Sequence, residues 1–293
     1  MKFGLFALNY GTCADPSVAV QVARYAEDAG LESLWTGEHL VLPDPQPVGV
    51  HMAPTLPFLD SVVALTLLAA ETTRIHLGSG IIELPLHHPI MLAKQCASID
   101  QISNGRLILG IGAGHLVPEF DAMGVPMSER GRRMDEYLDA MRALWTMPQP
   151  EYHGELVSFS EINAFPRPVA PEGIPIVTGG VSEGARRRTI RKANGWYLFN
   201  ADLAIVEEAM AIITNEQQEI ERPEHLGRLE ISVTPNAPID AAAVERYAAL
   251  GVDRLILLPD PTAASEDRHR PIAVDDILRT IDLIAELSDA PRG

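Results

Sequence analysis

The stretch "RIHLGSGIIELPLHHP", Arg74 to Pro89, decides how the rest of the chain is read. It starts as a buried strand from Ile75 to Ile81, is interrupted by Gly78 and Gly80, and runs through Glu83, His87 and His88 into Pro89. Proline suits the first position of a helix, where its missing N–H leaves no bond unmade, so a strand here passes directly into a helix. The same succession repeats on both sides. Candidate strands are Lys2 to Leu8, Ser33 to Thr36, Ile75 to Ile81, Arg106 to Ile111, Pro175 to Thr178, Gly195 to Phe199, Leu229 to Val233 and Arg254 to Leu258. Candidate helices begin near Pro16, Leu59, Pro89, Ser128, Glu183, Leu203 and Ala241, and a last one runs from Val274 to Leu287. Eight alternations predict an α/β fold with a parallel sheet, a (β/α)8 TIM barrel in a single domain over residues 1–293.

Local signals agree with the pattern. Asp15 can cap the first helix, Pro16 fits its first turn, Val18, Val22, Tyr25, Ala26 and Ala29 recur at helical spacing, and Gly30 can end it. Two segments exceed a minimal barrel: the Pro-rich loop from Val41 to Pro57, and Pro148 to Gly173, which reads as a small hairpin inserted before the fifth strand. Long insertions of this kind serve as lids or interfaces.

An apolar fraction of 46% and a charged fraction of 22% fit a water-soluble globular protein, and no run of about 18 apolar residues offers a membrane span. The opening "MKFGLFALNYG" reads as a strand and not as a signal peptide, so a cytoplasmic location is expected. A net charge of −17 argues against nucleic acid and acidic membrane surfaces as partners. One local exception is "ARRRTIRK", Ala185 to Lys192, where Arg187, Arg188, Arg191 and Lys192 share a sector of roughly 140° and read as a solvated basic face. Arg132 and Glu136, one turn apart, read as an ion pair. Cys13 and Cys96 offer neither a disulfide framework nor metal-ligand spacing.

In a barrel of this kind the active site lies at the carboxyl ends of the strands. Polar and small residues collect there: Glu38 and His39 after strand two, Gly80, Ile81 and Glu83 after strand three, Gly112, Gly114 and His115 after strand four, and Thr178, Gly179, Gly180, Val181 and Ser182 after strand five. In "TGGVSEG" the glycines can turn N–H groups inward, Ser182 can cap, and the following helix adds partial positive charge. The turn suits a phosphate, and equally an ordinary capped βα connection. "LGIGAGH" is not GxGxxG and no acidic residue follows a second strand suitably, which excludes a dinucleotide-binding fingerprint. His39 suits a general acid, because imidazole titrates near neutrality, and suits equally a buried histidine bonded to backbone.

Six segments, "FGLF", "YAEDAGLESLWTGEH", "AAETTRIHLGSGI", "HHPIMLAKQCASIDQISNGRLILGIGAG", "EFDAMGVPMSERGRRMDEYLDAMRALW" and "PIVTGGVSEGARRRTIRKANGW", together resemble the bacterial luciferase-like monooxygenase superfamily and, within it, the coenzyme F420-dependent oxidoreductases. The likeness fades after about Asp202 to the barrel pattern alone. It implies a flavin-like ring in the pocket, with a phosphate on the turn at Thr178, Gly179, Gly180, Val181 and Ser182. It also implies a strand-three bulge whose Gly80–Ile81 peptide is cis and backs the ring, alongside Gly112 and Gly114. Glu83 matches a position that contacts the cofactor chain. Glu38 and His39 match a pair facing cofactor and substrate, with His39 as the proton donor during hydride transfer. His115 stands where relatives carry Trp or Glu, which leaves proton donation and packing over the ring both open. His87 and His88 match a basic residue and a histidine, read as capping or packing. A homodimer is implied too.

The expected activity is hydride transfer between coenzyme F420 and a small organic substrate. The alternative is an FMN-dependent monooxygenase using molecular oxygen, since the deazaflavin lacks the ring nitrogen through which flavin activates oxygen. The acidic tail of F420 would give the basic sector around Arg187 and Arg191 a purpose. A catalytically silent flavin-binding protein is a third class. A metal-dependent hydrolase built on Glu38, His39, His87 and His115 is disfavoured, because Glu38 and His39 are adjacent in a strand and point to opposite faces; no metal is expected.

Overall fold

In the computed structural model, which describes residues 1–46, 52–259 and 272–289, helix α1 (Pro16–Asp28) opens on Asp15, whose carboxylate accepts the Ser17 N–H at 2.8 Å. Val22, Ala23 and Ala26 bury its inner face. Tyr25, expected on that face, is 40% exposed instead and donates its hydroxyl to Asp282 at 2.7 Å. It lies on the seam between two helices, where the ring packs and the hydroxyl keeps a polar partner.

The strands, numbered along the chain, are β1 (Lys2–Leu5), β2 (Ser33–Thr36), β3 (His76–Ser79) with its continuation β4 (Ile82–Glu83), β5 (Leu107–Gly112), the antiparallel pair β6 (Tyr152–His153) and β7 (Ser158–Phe159), then β8 (Ile176–Gly179), β9 (Gly195–Phe199), β10 (Glu230–Thr234) and β11 (Arg254–Leu257). Pairing runs β1, β2, β3, β5, β8, β9, β10, β11, all parallel, and β11 returns to β1 from Lys2↔Arg254 to Leu5↔Leu257. The sheet is therefore a closed eight-stranded barrel, as the alternation predicts. Around it lie α2 (Ser61–Glu71), α3 (Pro89–Ser103), α4 (Val117–Ala122), α5 (Arg130–Thr146), α6 (Glu183–Lys192), α7 (Leu203–Glu219), α8 (Ala241–Ala249) and α9 (Val274–Asp289). Helix α4 is absent from the sequence reading because six residues are too few to display a 3.6-residue period. The β6–β7 hairpin falls inside the predicted insertion; part of the Pro-rich loop, residues 47–51, lies outside the described residues.

One apolar layer lies between sheet and helices, and a second fills the barrel with Phe6, Trp35, Ile108, Val177, Tyr197 and Ile256. Trp35 explains Gly78: a Cβ there would meet the indole at 2.4 Å, so this glycine is a strand residue that admits a large neighbour. Below Trp35 the barrel base is sealed by Arg254, 2% exposed, which donates to Glu32 at 2.8 and 2.9 Å, to Glu230 and to Ser232.

Strand three does end in a bulge. Its register with β5 slips by one residue between Gly78↔Ile108 and Ile82↔Ile111, and the Gly80–Ile81 peptide in the gap is cis, where the resemblance implies one. Across the interruption the Ser79 hydroxyl donates to Gly110 O at 2.7 Å and accepts the Gly110 N–H at 2.9 Å, so the two strands stay joined.

Three expected contacts are different. His88 occupies the N-cap position of α3 but makes no side-chain cap bond, because Pro89 and the fold of the preceding turn set the helix start. Arg132 pairs with Glu155 at 2.6 Å and with Glu129, while Glu136 accepts the Leu156 N–H at 2.9 Å; the hairpin reaches both residues before they reach each other. The basic sector of α6 is a solvated face only in part: Arg187 and Arg191 are exposed, whereas Arg188 is buried and Lys192 half-buried. Arg188 is buried against Asp135 at 2.8 and 2.9 Å, Lys192 reaches Asp139 at 2.7 Å and Arg186 grips Glu216 at 2.7 and 2.8 Å, since acidic side chains of α5 and α7 stand on either side of α6.

Candidate functional site

The end of β4 and the segments that follow β2, β4 and β5 bring Glu38, His39, Glu83, His87 and Glu119 into one largely buried cluster. Glu38 and His39 leave β2 together and turn apart, as neighbours on an extended backbone do. Glu38 Oε2 accepts the Glu83 N–H at 2.6 Å and lies 3.0 Å from His87 Nε2, whereas its Oε1 is buried with no partner among the described residues. Burial opposes a charge on His87, but the hydrogen bond and charge of Glu38, with Asp60, outweigh it and hold the His87 pKa above its ordinary value. His87 thus braces Glu38.

On the other side, His39 Nδ1 lies 3.1 Å from Oε2 of Glu119, a fully buried residue of α4. The other oxygen of Glu119 accepts the backbone N–H groups of Leu40 at 2.5 Å and Val41 at 3.2 Å. Burial opposes the Glu119 charge, yet the His39 bond and these two amides win, and its pKa is lowered. Glu83, 2% exposed, goes the other way. Burial, the Glu119 charge, a hydrogen bond to the Glu119 carboxylate and the Glu38 charge raise it to about 9. The two shifts run in opposite directions, as expected of two carboxyls confined together, which resist carrying two charges. His39 Nε2 makes no hydrogen bond among the described residues, and the His39 side chain is 10% exposed.

His115 stands edge-on to His39, ring centroids 5.9 Å apart, and burial together with the neighbouring imidazole lowers its pKa. Next to this group the Ile81 side chain rests on Gly112, where a Cβ would meet it at 2.5 Å, and touches Gly179. Gly114 lies beside Phe120 and the Glu83 carboxyl. A run of aromatic rings leads away from His39: Phe58 meets His39 edge-on at 6.0 Å, Tyr10 stacks on Phe58 at 4.7 Å, and Phe6 packs with Tyr10 at 6.0 Å and with Phe199 at 5.3 Å.

The turn after β8 is exposed from Gly180 to Ser182. Ser182 Oγ accepts the Ala185 N–H at 3.3 Å, the capping bond expected of it, and Thr178 bonds Thr189 at 2.6 Å beneath the turn. Arg186 bends back to donate to Val181 O at 2.5 Å. One atom each of His39, Glu83 and Glu119 falls within a 4.8 Å span, the reach of a metal-ligand set. Glu119, however, already accepts two backbone N–H groups on one oxygen and turns the other to His39 Nδ1.

Most of the sequence-predicted residues therefore meet at one end of the barrel. Glu119 and the run of aromatic rings were missed. The only local sign of Glu119 is an acidic residue set between Leu116 and Phe120, four places after His115 in "HLVPEF".

Among known proteins, the chain matches the luciferase-like monooxygenase family over residues 1–275. An uncharacterized protein of Mycobacterium tuberculosis is 32% identical over 276 residues, covering 90% of this chain and 94% of that one. Of solved structures, the monooxygenase RslO1 from Streptomyces bottropensis superposes with a TM-score of 0.77 at 20% identity, over 98% of each chain. An F420-dependent secondary alcohol dehydrogenase superposes with a TM-score of 0.76 at 16% identity, over 100% of this chain and 99% of that one. A closed parallel barrel, a strand-three bulge and a sequence match across nearly the whole chain agree, and the chain belongs to the luciferase-like monooxygenase family.

Proposed function

We propose that the protein is a coenzyme F420-dependent oxidoreductase that moves a hydride between the deazaflavin and a small, uncharged organic substrate. The observation that carries this reading is His39: one imidazole nitrogen lies against buried Glu119, and the other has no hydrogen-bond partner among the described residues, with Phe58 edge-on to the ring. That is the geometry of a positioned acid–base group.

The residues present fit the cofactor. Ile81, seated on Gly112, offers an apolar shelf for a flat ring, and the N–H groups opening α6 offer donors for a phosphate. The cation nearest that turn, Arg186, is held by Glu216, and Glu183 adds negative charge in the first helical turn. Such a cradle favours the singly charged phosphodiester of F420 over the phosphomonoester of FMN, which carries up to two charges. Of the basic residues of α6, Arg186, Arg188 and Lys192 are drawn into ion pairs, whereas exposed Arg187 and Arg191 stay available to the acidic tail. When bound, the deazaflavin accepts or delivers the hydride. His39 Nε2 takes the substrate hydroxyl proton during oxidation, or returns it to the carbonyl oxygen during reduction. Glu38, braced by His87, holds the Glu83 backbone and with it the loop after β4. Phe6, Tyr10, Phe58 and Phe199 exclude water and favour an apolar substrate surface.

Titration of the purified protein with F420 and with FMN, followed by fluorescence quenching, tests the reading. Micromolar F420 binding supports it. Micromolar FMN binding with no response to F420 overturns it in favour of an oxygen-using monooxygenase.

A further inference from the structure

We propose that Glu119 is a positioning residue that fixes His39 as its Nδ1–H tautomer with Nε2 as the acceptor, and that Glu83, whose carboxyl lies within 4.8 Å of both and 4.0 Å from His39 Nδ1, completes this arrangement. The assignment deepens the reading of His39 as the acid–base group and rests on it for what Nε2 is used for.

The tautomer follows from counting donors and acceptors. Glu119 Oε1 accepts two backbone N–H groups, at 2.5 and 3.2 Å, bonds that stabilise the ionised carboxylate, and its second oxygen faces His39 Nδ1 at 3.1 Å. A carboxylate has no proton to donate, so the ring nitrogen must carry the hydrogen. In the neutral ring Nε2 is then the acceptor, the form required to receive a substrate proton. Among the described residues, the groups facing Glu119 and His39 are Glu83 from β4, His115 from the loop after β5, and Glu38 behind Glu83 with His87 and, more distantly, Asp60. None of these is a lysine or an arginine. Two ionised carboxylates against one imidazole would hold the ring as the cation and deny it the neutral form. With Glu83 neutral, the Glu83–Glu119 pair carries one charge and the ring can cycle between its two protonation states. The raised pKa of Glu83 agrees with this division.

The side-chain ¹⁵N spectrum of histidine in the free protein above neutral pH is the test, with the His39 signal assigned by its loss in His39→Gln. The wild type is expected to show hydrogen on Nδ1. In Glu119→Gln the two backbone N–H groups claim the amide oxygen, so the NH2 faces Nδ1 and the ring switches to hydrogen on Nε2. Glu83→Gln, neutral like the protonated acid, keeps the wild-type tautomer. In turnover, Glu119→Gln lowers kcat by about 10²-fold with KM changed far less. Hydrogen on Nε2 in the wild type, or an unchanged tautomer in Glu119→Gln, overturns the proposal. So does stoichiometric binding of Zn²⁺ alone that is lost in Glu119→Gln, since the cluster would then be a metal site. The spectrum needs no cofactor, so a failed F420 titration leaves this result standing and a failed tautomer test leaves the cofactor reading standing.

Discussion

Glu83 is a carboxyl whose surroundings can be read in a pH–stability curve. Its pKa rises on folding from 4.5 to about 9, so between those values the folded chain holds a proton that the unfolded chain has lost. Stability contributed by this group is therefore fully present below pH 4.5 and falls as pH rises toward 9. Glu83→Gln, which cannot ionise, is expected to remove that fall. Thermal melts at pH 5 and pH 8 should show the melting temperature of the variant gaining on that of the wild type at the higher pH. His39→Gln is expected to lower kcat by about 10²–10⁴-fold while fluorescence titration still shows cofactor binding. His39 was legible as a candidate because it follows a strand. Its partner was not, because the bond to Glu119 joins residues 80 apart in the chain and no local pattern connects them.

The elements were easier to read than the contacts between them. Strands β2 and β9 begin and end where the apolar runs do, and Asp15 and Ser182 cap as their positions require. Strand three carries the most specific expectation, and its glycines serve three ends that sequence alone does not separate. Gly78 admits Trp35, Gly80 lies in the bulge, and Gly110 on the neighbouring strand faces the bulge backbone. A Cβ at Gly110 would sit 1.7 Å from Ser79 O, a backbone atom that cannot rotate away. Gly110→Ala is thus expected to destabilise by about 3 kcal/mol or more, the upper range for overpacking, or to abolish soluble expression; urea denaturation measures the first and a solubility assay the second. The basic sector of α6 shows the opposite limit. Its helical spacing was legible, but whether that sector meets solvent or acids depends on α5 and α7, which are set by topology.

At the scale of the whole molecule, barrel closure depends on a charged group in a dry place. Arg254 bridges Glu32 and Glu230 under Trp35, so its loss leaves two carboxylates facing a half-buried gap. Arg254→Ala is expected to cost about 3–5 kcal/mol, measured by urea denaturation at pH 7, the range for removing one member of a buried ion pair. Among the described residues no helix is long and apolar enough to cross a membrane. The sequence by itself determined the order of eight strand–helix units, the ends at which chemistry collects, and the family, because periodicity, caps and turn glycines are local and repeat along the chain. Only the tertiary structure decided which carboxylate lies against His39, which carboxyl burial drives toward its neutral form, and which cations of α6, Arg186, Arg188 and Lys192, are held in ion pairs. Those outcomes depend on desolvation and on partners brought from distant loops by the closed register of the barrel, and neither quantity exists until the sheet has closed.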